Sequence, residues 1–162
     1  MIILVMGVAG AGKTTVGALL AERLGWRFLD ADDFHSDASI AKMSQGLALT
    51  DADRTPWLSR LHDVLLEMDC RGEQAVLACS ALKEGYRRML LDGLLEYRLV
   101  FLKTSPSLIV RRLEMRTAHF MSPALAMSQF ELLEEPSEAV IVNGEWPLKK
   151  IIAHITATLQ LQ

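Results

Sequence analysis

Residues 7–14 of the chain read Gly-Val-Ala-Gly-Ala-Gly-Lys-Thr, which matches the phosphate-binding pattern G-x-x-x-x-G-K-[ST]. The stretch follows an apolar run at residues 2–6 and precedes a helical pattern, which is the context that this motif requires. Glycines let backbone N–H groups turn toward a phosphate, and the following helix directs the positive end of its dipole at the same anion. The stretch therefore predicts a site for a nucleoside triphosphate.

The side chains of this loop have expected roles of their own. Lys13 should bridge the β- and γ-phosphates as a catalytic cation, and Thr14 should supply a hydroxyl to Mg²⁺. The residues predicted to contact the nucleotide in the loop are Gly7, Gly10, Ala11, Gly12, Lys13, Thr14 and Thr15.

The composition limits the class of protein. The chain has 162 residues, of which 51% are hydrophobic and 23% charged, with a formal net charge of −3, and these values fit one globular domain over residues 1–162. The sequence has no run of basic residues of the kind that binds nucleic acid, which argues against nucleic acid as a partner. The N-terminal apolar run is too short to span a membrane. Cys70 and Cys79 lack metal-ligand spacing, which favours reduced thiols. We expect a cytoplasmic protein with small-molecule partners.

Apolar strand-like runs alternate with segments of helical spacing, which is typical of an α/β fold with a parallel sheet. Strands are expected at residues 2–6, 27–29, 75–79, 99–102 and 139–142. Helices are expected at residues 14–24, 37–43, 56–70, 81–91, 106–116, 123–133 and 147–159. Helix starts are marked by Pro56, Pro106, Pro123 and Pro147, because a first turn tolerates the missing N–H. One three-layer domain accounts for the whole chain.

Acids suited to metal and proton handling follow the second short strand, in the stretch Asp30-Ala-Asp-Asp33. The carboxyl ends of neighbouring parallel strands line one crevice, so Asp30 and Asp32 should face the γ-phosphate. Alternation along an extended segment puts both on the same side. We predict that Asp30 serves Mg²⁺ and that Asp32 accepts the proton of an acceptor hydroxyl. For Asp33, an exposed cap and a role in the site both remain open.

Basic residues elsewhere in the chain indicate an anionic acceptor. Arg54 lies in a predicted turn that enters a helix, where it can grip a carboxylate. Lys83 and Arg87 are four residues apart and should share one helix face. The alternative is that Lys83 and Arg87 are surface charges and that Arg54 only pairs with Asp51 or Asp53.

A stretch rich in helix-breaking residues after residue 116 is typical of a mobile lid, and we expect a helical lid at about residues 117–136. Arg116, nearest the hinge, is the predicted catalytic arginine for the charge that builds on the γ-phosphate. Arg112 should stack on the adenine or pack structurally. His119 could touch the substrate or stabilise the lid.

Missing signatures narrow the function. The chain has no Asn-Lys-x-Asp after the loop and no Asp-Phe-Gly, which argues against a GTPase and a protein kinase. A small phosphotransferase is the leading class, and a nucleotide-gated binding protein is the main alternative that is not an enzyme.

A longer series of motifs resembles the gluconate kinases, or gluconokinases, in order and spacing over essentially the whole chain. The matching residues are Asp30-Ala-Asp-Asp-Phe-His35, Lys42-Met43 with Gly46, Leu49-Thr-Asp-Ala-Asp-Arg-Thr-Pro-Trp-Leu58, Cys79-Ser-Ala-Leu-Lys83 with Tyr86-Arg87, His119-Phe120, and Gln129-Phe-Glu131 with Glu134-Glu-Pro136. The chain departs from the family pattern at Ser36, where proline is usual, and at Ala118, where glycine is usual. Replacing a glycine of positive φ costs about 1 kcal/mol, which could shift closure of the lid.

The resemblance implies a fold, a reaction and a substrate site. The fold would be the three-layer α/β P-loop kinase fold of nucleoside-monophosphate and shikimate kinases, with strand order 2-3-1-4-5. The reaction would be phosphorylation of D-gluconate to 6-phosphogluconate by ATP with Mg²⁺ in a homodimer; shikimate-kinase-like transfer to another small anionic polyol is the alternative. The implied substrate-binding residues are Asp32, His35, Arg54, Lys83, Arg87, His119 and Gln129.

Overall fold

A five-stranded parallel sheet forms the centre of the computed structural model, which describes residues 1–115 and 123–161. The strands are β1 (Ile2–Met6), β2 (Arg27–Asp30), β3 (Ala75–Ala78), β4 (Tyr97–Lys103) and β5 (Val140–Asn143). Every neighbouring pair is parallel, and the order is β2-β3-β1-β4-β5. The predicted fold class and strand order are confirmed.

Helices cover both faces of this sheet. They are α1 (Lys13–Leu24), α2 (Asp37–Ser44), α3 (Asp51–Cys70), α4 (Glu84–Leu91), α5 (Pro106–Glu114), α6 (Pro123–Leu132) and α7 (Leu148–Leu159), with a short 3₁₀ helix at Ala31–Phe34. The side chains of β1 alternate between the two layers: Leu4 and Met6 pack with α3 and α4, whereas Ile3 and Val5 pack with α1, α5 and α7. All of β1 is buried, as expected for a strand with helices on both sides. No helix within residues 1–115 and 123–161 is long and apolar enough to cross a membrane.

The start of α3 differs from the predicted one. The helix begins at Asp51, not at Pro56, because Thr50 and Asp53 form a capping box. The Asp53 N–H donates to the Thr50 hydroxyl over 3.2 Å, and the Thr50 N–H donates to the Asp53 carboxylate over 2.7 Å. Pro56 therefore lies inside the helix, and Arg54 lies on its first turn instead of in a preceding loop.

The start of α4 also differs, and the difference separates two predicted site residues. Ala81 has a φ of 44°, a left-handed conformation that a helix cannot include, so α4 begins at Glu84 instead of residue 81. Lys83 precedes the helix with an extended backbone, whereas Arg87 lies within it. The prediction that Lys83 and Arg87 share a helix face is therefore wrong.

The predicted lid is only partly covered by the structure. Arg116, Ala118 and His119 lie outside the described residues, so the roles predicted for them remain predictions. The later part of the predicted lid contains α6, which begins at Pro123 as expected. At the other departure from the family pattern, Ser36 caps α2 by accepting a hydrogen bond from the Ser39 N–H over 3.2 Å.

Candidate active site at the carboxyl edge of the sheet

The phosphate loop connects β1 to α1 through residues whose backbone favours glycine. Gly10 and Gly12 have φ values of 81° and 100°. A Cβ on Gly7 would lie 2.9 Å from the Leu102 carbonyl oxygen, so a larger residue would displace the loop from β4. Within the described residues no side chain caps the start of α1, which directs the positive end of its dipole toward the loop. Thr15 is exposed at this helix start.

Lys13, Thr14 and Asp30 meet beside the loop. The Lys13 ammonium donates to the Val8 carbonyl over 3.0 Å, which folds the side chain back over the loop. The Thr14 hydroxyl donates to Asp30 Oδ2 over 2.7 Å. A hydroxyl beside a carboxylate next to the phosphate site is a donor set that fits Mg²⁺, which takes few protein ligands alongside phosphate oxygens and water. Among the residues that the structure describes, no group of three or more His, Cys, Asp or Glu could hold a metal.

Asp32 lies at the same edge, but by a different geometry from the predicted one. Asp30 ends β2, and its Oδ1 accepts a hydrogen bond from the Asp32 N–H over 3.0 Å, which caps the 3₁₀ helix. The prediction that the two aspartates alternate along an extended segment is wrong, because the chain turns after Asp30. The two carboxylates still have different neighbours, because Asp30 contacts Thr14 and Asp32 lines a neighbouring cavity. Asp33 is exposed on the same short helix.

The cavity next to Asp32 brings several predicted substrate residues together. His35, Arg54 and Gln129 line it with Asp32, and the loop after β3 contributes its residues 80–82. Gln129 comes from α6, and its Oε1 also accepts a hydrogen bond from the Ala9 N–H of the phosphate loop over 2.8 Å. Gln129 therefore connects the wall of the cavity to the phosphate loop.

His35 is fixed in the wall of this cavity. Its side chain is only 7% exposed, and its ring stacks on Trp57 with 4.3 Å between centroids. Its Nε2 lies 3.8 Å from Asp32 Oδ1, and its Nδ1 has no hydrogen-bond partner within the described residues. Burial lowers the pKa of His35, and this effect outweighs the opposing attraction of Asp32. Burial therefore favours the neutral form of the ring.

Arg54 and Lys83 meet around Asp51 and Tyr86. The Lys83 ammonium donates to both oxygens of Asp51, over 2.9 and 2.8 Å, and the Tyr86 hydroxyl donates to Asp51 Oδ1. Arg54 donates to the Tyr86 hydroxyl over 3.3 Å and lies 3.9 Å from Asp51 Oδ1. The Lys83 hydrogen bond is the main reason that the pKa of Asp51 lies below its usual range, and it also raises the pKa of Lys83. With two cations and one carboxylate, this acceptor cluster has an excess positive charge.

Arg87 does not join the acceptor cluster. It is 6% exposed, and its guanidinium donates to the carbonyls of Ala81 and Leu82 over 2.9 and 3.0 Å. The predicted contact of Arg87 with the substrate stays a prediction. In this structure the side chain holds the turn between β3 and α4, and burial there lowers its pKa.

Arg112 joins the phosphate loop to the segment that follows β5. It donates to the carbonyls of Gly10 and Ala11 over 3.3 and 3.1 Å, and to the carbonyl of Gly144 over 2.8 Å. Of its two predicted roles, structural packing describes this geometry. Stacking on the adenine stays a prediction.

Comparison with known proteins identifies the family. The shikimate kinase family model matches residues 9–158. A probable gluconokinase of Mus musculus is 48% identical over 98% of this chain and 97% of that protein. The gluconokinase of Gluconobacter oxydans (strain 621H) is 44% identical over 96% of this chain and 91% of its own. The chain belongs to the gluconokinase family.

The shape of the molecule agrees with this membership. The crystal structure of a gluconokinase from Sinorhizobium meliloti 1021 superposes with a TM-score of 0.87 and 40% sequence identity, covering 98% of this chain and 90% of that one. Because the chain belongs to the gluconokinase family and carries the phosphate loop, it is a kinase.

Three residues that the sequence does not single out contact the acceptor cluster or the turn beside it. They are Asp51 and Tyr86 in the cluster and Glu134, which accepts a hydrogen bond from the Glu84 N–H. All three occur in the stretches that resemble the gluconokinases, which was the signal available. Their partners are distant in sequence, since Asp51 meets Lys83 and Tyr86 from 32 and 35 residues away. Local spacing cannot reveal such contacts.

Proposed function

We propose that the chain transfers the γ-phosphate of ATP to D-gluconate and forms 6-phospho-D-gluconate. The observation that carries the proposal is the position of the acceptor cluster: Arg54 lines the cavity of Asp32, which borders the phosphate loop through Gln129. Gluconate has one carboxylate, which suits a cluster of excess positive charge, and a chain of hydroxyls, which suits the polar wall. Relatives named gluconokinase support the same substrate.

At the donor end, the loop N–H groups and Lys13 hold the phosphates, with Arg112 beside the loop. Thr14 and Asp30 would hold Mg²⁺, which supplies charge that offsets the phosphate oxygens and orders them for transfer. Arg116, at the hinge of the lid proposed for about residues 117–136, would bring a further cation to the γ-phosphate. These roles serve position and charge, because phosphoryl transfer needs little covalent chemistry from the protein.

At the acceptor end, Arg54 and Lys83 bind the carboxylate of gluconate, while His35, Gln129 and His119 bind its hydroxyls. Asp32 orients the primary hydroxyl and takes its proton as the oxygen attacks the γ-phosphate. A loose transition state releases that proton late, so the position of the carboxylate matters more than a raised pKa. We further propose that residues 1–162 act as one domain in a cytoplasmic homodimer, without nucleic acid or membrane partners, on the strength of the family resemblance and the composition.

Replacement of the acceptor cations tests this assignment. Arg54→Ala and Lys83→Ala should each raise the KM for gluconate by roughly tenfold to a hundredfold, because each removes a charge-assisted hydrogen bond. The KM for ATP should stay near that of the unmodified protein. Arg71→Ala is the matched control, since Arg71 is exposed and pairs with Glu67 on α3. An unchanged KM for gluconate in both variants would assign Arg54 and Lys83 to surface ion pairs.

A further inference from the structure

The turn that carries Lys83 is held in an unusual conformation. Ala81 has a positive φ of 44°, which a residue with a Cβ adopts only when its surroundings require it. Arg87 supplies part of that requirement, because its guanidinium bonds the carbonyls of both Ala81 and Leu82 from within α4. The backbone that leads into Lys83 is thus fixed from one side.

Glu134 holds the same turn from the other side. Its N–H donates to the Leu82 carbonyl over 2.9 Å, and its Oε2 accepts a hydrogen bond from the Glu84 N–H over 2.6 Å. These two bonds bracket Lys83 at the residue before it and the residue after it. Glu134 also lies close enough to Arg87 for their opposite charges to interact.

The Glu134 carboxylate takes the place of a helix cap. Glu84 is the first residue of α4, and Lys83, at the N-cap position, makes no side-chain cap within the described residues. A carboxylate at this position satisfies an open N–H group and is attracted by the positive end of the helix dipole. The Lys83 ammonium has no acceptor with which to cap the helix itself, and it donates to Asp51 in the acceptor cluster.

The segment that contributes Glu134 also contacts the phosphate loop. Gln129 lies five residues earlier, on α6, and accepts the hydrogen bond from the Ala9 N–H. One short stretch of chain is therefore bonded to the phosphate loop at Gln129 and to the Lys83 turn at Glu134. Displacement of α6 would move both attachments together.

We propose that Glu134 is a positioning residue for the acceptor. It fixes the backbone on either side of Lys83, so that the ammonium group reaches Asp51 in the acceptor cluster while Gln129 of α6 is bonded to the phosphate loop. The proposal rests on the proposed function, because it assumes that Lys83 binds the acceptor carboxylate.

Steady-state kinetics of Glu134→Ala with gluconate test the proposal. The KM for gluconate should rise about tenfold, as for loss of a charge-assisted hydrogen bond, while kcat and the KM for ATP change by less than about threefold. Glu134→Gln should restore most of the gluconate affinity, because its amide oxygen can still accept from the Glu84 N–H. Glu135→Ala is the matched control, since the neighbouring Glu135 carboxylate pairs with exposed Lys103 over 2.8 Å.

A double variant separates positioning from general support of the fold. If Glu134 acts through Lys83, Glu134→Ala should add less than about twofold to the KM once Lys83→Ala is present. A full additional tenfold effect in that background overturns the proposal, as does an unchanged KM in Glu134→Ala. Should Glu134→Ala fail to fold, a tenfold rise in KM for the Glu134→Gln variant overturns it. Failure of the proposed function is distinct, because the unmodified protein would then not phosphorylate gluconate.

Discussion

Asp30 and Asp32 show how single residues divide the work of the site. Asp30 accepts hydrogen bonds from both the Thr14 hydroxyl and the Asp32 N–H, so its carboxylate is fixed beside the phosphate loop. The chain turns after Asp30, and Asp32 lines the cavity together with His35. Two carboxylates separated by one residue therefore lie in different places, Asp30 beside the phosphate loop and Asp32 in the wall of the cavity.

Substitution by asparagine tests this division, since it keeps the shape of the side chain and removes its charge. We expect Asp32→Asn to lower kcat roughly a hundredfold or more while ATP and Mg²⁺ still bind, because the hydroxyl loses its oriented proton acceptor. Asp30→Asn should lose turnover in a way that excess Mg²⁺ partly restores. Kinetics at varied Mg²⁺ distinguish the two variants. Near-normal turnover in Asp32→Asn, or rescue of Asp32→Asn by Mg²⁺, would reverse the assignment.

His35 should make the stability of the fold depend on pH. Burial lowers the pKa of His35 below the ordinary value of 6.5, so the unfolded chain takes up this proton at a higher pH than the folded chain does. The free energy of unfolding should therefore decrease as the pH falls from about 6.5 toward the lowered pKa. Denaturant unfolding between pH 7.5 and 5 measures the slope, which should be shallower in His35→Gln. His154→Gln, on α7, controls for the loss of a histidine as such, and equal slopes in all three proteins would contradict the prediction.

At the scale of elements, the site depends on how closely α1 packs on β2. Gly17 lies on α1, and a Cβ at this position would be 2.8 Å from Cε2 of Phe28. Phe28 belongs to β2, the strand that ends in Asp30, whereas Thr14 belongs to α1. Close packing of the two elements thus sets the separation of Thr14 and Asp30.

A matched pair of glycine substitutions tests this packing. Gly17→Ala should lower the free energy of unfolding by about 1–3 kcal/mol and also reduce kcat, since the added methyl group pushes β2 and Asp30 away from Thr14. Gly85→Ala, in α4, meets no atom within 4 Å and should stabilise the protein by up to about 1 kcal/mol. Thermal unfolding measures the stability of both variants, and steady-state kinetics measure their kcat. Equal stability in the two variants would refute the packing argument.

Some elements could be predicted from the sequence because their signals are local. The loop between β1 and α1 carries its pattern in adjacent residues, and the central strands β1 and β3 are continuous apolar runs. The helix starts that depend on hydrogen bonds or on backbone strain differ from the predicted ones. The capping box of Thr50 places the start of α3 before Pro56, and the left-handed backbone of Ala81 places the start of α4 after residue 81. Pro56 was misleading as a start signal, because the capping box begins α3 five residues before it.

At the scale of the whole molecule, the site joins segments that are distant in the sequence. The acceptor cluster combines the first turn of α3 with the turn before α4. The segment from Gln129 on α6 to Glu134 connects that turn to the phosphate loop. The sequence shows that Arg54, Lys83 and Arg87 are charged, but it does not show where their side chains point. Only packing decides that Lys83 pairs with Asp51 in the acceptor cluster while Arg87 is buried beneath the turn.

The most direct measurement is a comparison of acceptors by the release of ADP, with the product identified by phosphorus NMR. D-gluconate, shikimate, glycerate and nucleoside monophosphates should be tested with ATP and Mg²⁺ under identical conditions. We predict that kcat/KM for gluconate exceeds that for every other acceptor by at least about a hundredfold, because only gluconate matches both the cationic cluster and the polar wall. A preference for another acceptor, or ATP turnover without a phosphorylated acceptor, would contradict the account.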